Sequence, residues 1–107
     1  MSELTLKQNP TLKDIQEYVE LMIKERGFDN ETIPQQFMLL MEEVGEMAKA
    51  SRKSQGIHVD DNSSKHDLGH EAADVLILLL DICNHQGIDL EKALREKEEI
   101  NKKRTWK

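Results

Sequence analysis

A single cysteine among 107 residues leaves no disulfide framework, and Cys83, set inside an apolar stretch, reads as a small core residue rather than a nucleophile. A basic surplus is missing as well. Fifteen Lys and Arg stand against 21 Asp and Glu, a formal charge of −6, which argues against a sequence-independent grip on phosphate backbones and so against a nucleic-acid polymer as partner. The longest strongly apolar run, Val75 to Leu80, falls far short of the roughly 20 residues of a membrane span, and the N-terminus lacks a basic-then-apolar signal pattern. A cytoplasmic protein without a membrane partner is therefore expected. No segment reads as a strand, and no internal repeat or low-complexity tract is visible.

What is present is helical periodicity. Residues 1–10 carry no clear period and are expected to be loosely ordered; Thr11 with Asp14 then forms a helix N-cap, and Leu12, Ile15, Val19, Met22 and Ile23 keep helical spacing to about Arg26, where Gly27 stops the helix. Thr32, Pro34 and Gln35 start a second helix running to about Ser51. Residues 52–65, rich in Ser, Asp, Asn, Gly and Lys, read as a connecting loop, and Ser63 or Ser64 is placed to restart a helix that ends near Gly87. Asp89 caps a fourth helix reaching the neighbourhood of Arg104. The expected architecture is a single all-α domain, a four-helix bundle-like protomer. At this length a third helix as apolar as Val75-Leu76-Ile77-Leu78-Leu79-Leu80 needs another subunit to cover it, so a homo-oligomer is expected.

Two acidic clusters sit on these helices: Glu42-Glu43-x-x-Glu46 on the second and Glu71-x-x-Asp74 on the third. At about 100° per residue the first three acids share one third of the helix circumference, opposite an apolar stripe of Ile33, Phe37, Leu40, Met41, Val44 and Ala48. Alone that is the pattern of a helix with a solvated acidic side. Leu39 and Met38, however, flank the acids with groups that prefer burial, and Val75, Leu78 and Ile82 share the arc of Glu71 and Asp74. Buried carboxylates need a proton, a basic partner or a metal, and with few bases nearby the metal is favoured. An all-oxygen ligand set points to magnesium or manganese.

The fourth helix adds cations. Its inward stripe begins with Leu90, Ala93 and Leu94 and continues through Lys97, Asn101 and Arg104. Basic residues near a helix C-terminus are also favoured by the macrodipole. Beside a carboxylate-held metal, though, such residues suit a polyphosphate, because metal and side chains can take different phosphates.

With these motifs in place the chain resembles the MazG-like nucleoside triphosphate pyrophosphohydrolases of the all-α NTP pyrophosphatase superfamily. The likeness covers roughly residues 30–104. It rests on Glu42-Glu43-Val44-Gly45-Glu46-Met47-Ala48, on Glu71-Ala72-Ala73-Asp74-Val75-Leu76, and on Gly87-Ile88-Asp89-Leu90 leading to Lys97, Asn101 and Arg104. The resemblance implies magnesium-dependent cleavage of a nucleoside triphosphate between the α and β phosphates, giving a monophosphate and pyrophosphate, with deoxynucleotides expected and nucleotide-pool housecleaning as the role. Carried over by residue, Glu43, Glu46, Glu71 and Asp74 become metal ligands, while Glu42 supports them or orients the attacking water. Lys97, Asn101 and Arg104 would hold the triphosphate. Asn84 matches a polar position common in the family, although a helix-end hydrogen bond accounts for it equally. Phe28, Gln35 and Phe37 are candidates for a base pocket, each with an ordinary packing explanation. The family leans toward a dimer of dimers over a dimer.

Three rival readings stand beside this one. His66 and His70, four apart, could join Glu71 or Asp74 in a zinc site. A ferritin-like di-metal site needs Glu-x-x-His, and no Glu here has a His three residues on. The non-enzymatic alternative is an acidic helical interaction or nucleotide-binding module.

Overall fold

The computed structural model describes residues 2–56 and 67–104. Four helices, α1 (Leu12–Glu25), α2 (Ile33–Ser54), α3 (Leu68–His85) and α4 (Leu90–Lys102), make up the regular structure, with no strand among the described residues. Local signals set their ends. Thr11 with Asp14 and Thr32 with Gln35 form reciprocal capping boxes, and Pro34 lies in the first turn of α2. The described part of α3 starts at Leu68 under an Asp67 cap; Ser63 and Ser64 lie outside the described residues.

α1 and α3 end alike. Gly27 and Gly87 have φ of 76° and 68°, and each chain reversal is closed by two bonds: Gly27 N–H to Lys24 O with Phe28 N–H to Ile23 O, and Gly87 N–H to Asn84 O with Ile88 N–H to Cys83 O. This double closure requires a left-handed residue, which glycine adopts without steric cost. It also fixes where Phe28 leaves α1.

The core joins α1 to α3: Val19, Met22, Ile23 and Leu80 are buried together, with Leu4, Leu12, Ile15, Tyr18, Ile77 and Leu90 packed around them. Leu4 thus ties part of the first ten residues to the core. Cys83 is buried and free. Gln16, also buried, donates to Asn84 Oδ1 (2.9 Å) and Ile88 O (2.6 Å), accepts from Leu90 N–H (3.1 Å), and its backbone carbonyl accepts from Asn84 Nδ2 (3.1 Å). One amide therefore latches α1 to the α3–α4 corner and satisfies the start of α4. α4 packs on α1.

α2 pairs antiparallel with α3, and it does so with an unexpected face. Gln36 (1 % exposed), half-buried Glu43 and Ala50 (1 %), each seven residues from the next, turn toward α3. The stripe expected to be core is instead open: Phe37 (50 %), Met41 (60 %), Val44 and Ala48 are exposed, and only Ile33 and Leu40 of that set are partly covered. Polar pairing across the seam selects this face, and among the described residues no other helix lies over the apolar one. Leu94 departs in the same way, being 57 % exposed where an inward position was expected. The radius of gyration is 16.6 Å, against about 13 Å for a compact chain of this length.

Candidate metal and nucleotide site

The α2–α3 seam carries its polar groups in register. Gln36 faces Asp81, and one heptad further along α2, Glu43 meets Asp74 and Glu71. A carboxylate oxygen from each of Glu43, Glu71 and Asp74 lies within 4.8 Å of the others. Glu46 stands close enough to act on Glu43 electrostatically. The Glu43 carboxyl is pushed above the usual range, first by burial, then by the charges of Asp74 and Glu71, a hydrogen bond with Glu71, and the charge of Glu46. Like charges held this close on two packed helices are destabilising without a counter-ion.

Of the expected ligands, then, Glu43, Glu71 and Asp74 are brought together, with Glu46 beside them. Glu42 is not. It is exposed and lines a separate surface groove with Phe37, Met38 and Met41. The donor set is oxygen only, which suits a hard dication, and three acids from two rigid helices form an open cluster rather than a closed cage. His70 is exposed and outside this cluster, its backbone N–H bonded to Asp67, and His66 lies outside the described residues.

A groove of about 410 Å³ runs from these acids to the end of α1. Glu43 and Asp74 stand at one part of it, Met22, Ile23, Leu39, Ile77 and Leu78 form apolar walls, and Phe28, Arg26, Glu31 and Asp81 complete the lining. Phe28, half exposed, therefore faces the groove rather than the core. The volume lies within the range of small-molecule pockets, and the mixture of apolar walls and a few charged groups is what such pockets use. Phe37 is on the outer face of α2, and Gln35 is occupied in its cap, accepting from Thr32 N–H at 2.8 Å.

Lys97 on α4 and Arg104 just past its end are exposed, Asn101 is half-buried, and none of the three expected phosphate ligands lines the groove of Glu43 and Asp74. Asn84 is engaged with Gln16, so its helix-end role is visible directly.

Sequence reading missed the second polar step of the seam. Gln36 Nε2 donates to Asp81 Oδ2 (3.0 Å), and Gln36 Oε1 lies 2.9 Å from His85 Nδ1. Asp81 is only 8 % exposed; burial raises its carboxyl above the usual range, with the Gln36 hydrogen bond and the His85 charge opposing that rise. A signal existed, since Gln36 precedes Glu43 by seven residues and Asp81 follows Asp74 by seven.

Among the described residues, all regular structure is helical and three carboxylates converge between two antiparallel helices, an oxygen-only cluster suited to a divalent cation. Comparison with known families agrees: residues 12–101 match the phosphoribosyl-ATP pyrophosphohydrolase family, and the chain belongs to that family, within the MazG-like all-α NTP pyrophosphatase superfamily. It is 34% identical over 96 residues to a dATP/dGTP diphosphohydrolase of Salmonella phage PMBT28, covering 90% of this chain and 28% of that protein. To a dATP/dGTP diphosphohydrolase of Cyanophage S-2L it is 36% identical over 67 residues, covering 63% of this chain and 51% of that protein. The chain thus spans about half, or less, of the length of these curated relatives. No solved structure matches it significantly.

Proposed function

We propose that this protein hydrolyses purine deoxynucleoside triphosphates between the α and β phosphates, with magnesium or manganese, releasing a deoxynucleoside monophosphate and pyrophosphate. The observation that carries the reading is the convergence of Glu43, Glu71 and Asp74 beside a nucleoside-sized groove. Family membership supports the phosphoanhydride chemistry, and the names of the two phage relatives support dATP and dGTP.

In this mechanism Glu43, Glu71 and Asp74 would hold the dication, with Glu46 beside Glu43. The chemistry such an ion would supply there is neutralisation of charge developing on the phosphate oxygens. Glu46 orients and deprotonates the attacking water, a role worth about 10²–10⁴-fold in rate. We assign this to Glu46 rather than Glu42 because Glu46 lies beside Glu43, whereas Glu42 opens onto another groove. Phe28 and the Leu39, Ile77 and Leu78 wall hold the base and sugar out of water, which fixes the triphosphate relative to the acids.

The finer architecture belongs to the same proposal. Phe37, Met41, Val44 and Ala48 of α2, with Leu76 and Leu79 of α3, leave apolar surface exposed on the helical pair. A second copy covering it would close a bundle of four helices, giving a homodimer or a dimer of dimers.

Incubating the purified protein with dATP or dGTP and magnesium, and identifying products by phosphorus NMR, tests the reaction. Pyrophosphate with the monophosphate is expected. Orthophosphate with the diphosphate, or no product, would reject it.

A further inference from the structure

Within the groove, Arg26, Glu31 and Asp81 are left without a task by the chemistry above, and of these only Asp81 is buried. Asp81 is nine-tenths buried, lines the same groove as Glu43 and Asp74, and has one carboxylate oxygen, Oδ2, occupied by Gln36. Among the described residues no hydrogen bond to its other oxygen is found. It follows Asp74 by seven residues on one straight helix, which places it about 10.5 Å further along the axis. That is close to the separation between a nucleotide's phosphates and the far edge of its base. Phe28 and the apolar wall lie on the same groove.

We propose that Asp81, braced by Gln36, reads the Watson–Crick edge of the purine and makes the site prefer guanine to adenine. This rests on the functional reading above and deepens it. The chemistry is one of donors and acceptors. Guanine presents two adjacent donors, N1–H and the N2 amine, and an ionised carboxylate is acceptor-only, so the pair is complementary. Adenine presents a donor at N6 beside an acceptor at N1. Against the carboxylate its N1 has no donor to meet, and a buried polar group left unpaired is costly. Gln36 matters because its amide is fixed at both ends, donating to Asp81 and facing His85 Nδ1. A carboxylate whose rotamer is locked in this way discriminates better than a mobile one.

Asp81→Asn keeps the shape and exchanges an acceptor for a donor. An amide offers adenine a carbonyl for N6 and an N–H for N1, and offers guanine's N1–H and N2 amine a single acceptor between them. The experiment measures kcat/KM for dGTP, dATP and dITP, with magnesium, on the wild type and on D81N. It is paired with calorimetric binding of the product monophosphates, a readout independent of turnover. Wild type is expected to favour dGTP over dATP by about 10-fold or more, and D81N to move that ratio toward dATP by about 10- to 100-fold, the range of a bidentate base contact. Deoxyinosine triphosphate, which keeps N1–H and lacks the N2 amine, should fall between the two on wild type, so the inference stays testable even if D81N does not fold. Equal use of all three by wild type, or a D81N ratio unchanged while both proteins release pyrophosphate, would overturn the role of Asp81 and leave the hydrolase standing. If wild type neither hydrolyses nor binds any of them, both readings fall.

Discussion

Replacing Glu43 by glutamine separates a metal-binding cluster from an ordinary acidic surface, because the two predict opposite signs. In the metal-free protein Glu43 lies within 4.8 Å of both Asp74 and Glu71. Two unit charges at that separation repel by about 3.5 kcal/mol at an effective dielectric of 20 and about 0.9 kcal/mol in bulk water. Glu43 and Glu71 are half-buried and Asp74 is exposed, so solvent screens part of the repulsion that helps push the Glu43 carboxyl upward. A net gain of about 1–2 kcal/mol on neutralising Glu43 follows, equivalent to a rise in Tm of about 5–10 °C for a domain of this size. The amide can still bond Glu71. Magnesium reverses the order: at 100 times its Kd a ligand stabilises by about 2.7 kcal/mol, and E43Q, having lost a ligand oxygen, should gain little. The assay is calorimetric melting of both proteins at pH 7.5 and one fixed protein concentration, with chelator and then with magnesium. A variant less stable than wild type in chelator, yet equally stabilised by magnesium, would refute the reasoning.

Other consequences can be measured in the same preparations. Gln16→Ala removes three side-chain hydrogen bonds at a buried corner and should lower stability in urea unfolding by about 2–3 kcal/mol, since each buried group left unpaired costs about 1–3 kcal/mol. Met41→Lys places a charge on the exposed apolar stripe of α2; helix content by circular dichroism should be unchanged, while sedimentation equilibrium should show a smaller assembly. The pH dependence has two limbs. Glu43 and Asp81 have raised carboxyls, so the folded metal-free protein binds more protons than the unfolded chain and stability rises as pH falls through their folded values. Asp14 and Asp67, lowered by backbone N–H groups of Thr11 and His70, contribute stability above 3.8 that is lost as pH falls through their folded values. Stability in chelator should therefore peak in mild acid, and D81N should flatten the upper limb.

The helix starts and the glycine stops were legible because each is decided within a few residues, whereas α2 runs on to Ser54 through residues read as the start of the connecting loop. Thr11 with Asp14, Thr32 with Gln35, Gly27 and Gly87 all sit where the sequence places them. The pairing of Glu43 with Glu71 and Asp74 was legible for a related reason, as both motifs keep helical spacing. The side on which α2 packs was not. Periodicity marks an apolar face at Phe37, Met41 and Val44, but it cannot tell burial by the same chain from burial by another, and Gln36 and Glu43 face α3 instead. Gln16 and Asp81 were hidden because a polar residue in an apolar run acquires its role only from the partner the fold supplies: Asn84 for one, Gln36 for the other. Glu42 shows the converse limit, since adjacency in a motif does not place it on the groove of Glu43.

Manganese titration followed by electron paramagnetic resonance tests the central claim most directly, because it reports free and bound ion without requiring turnover. Wild type should bind manganese at a site that magnesium competes away, and E43Q, Glu71→Gln and Asp74→Asn should each weaken that binding by at least 10-fold. Manganese binding that survives all three substitutions unchanged would contradict the account.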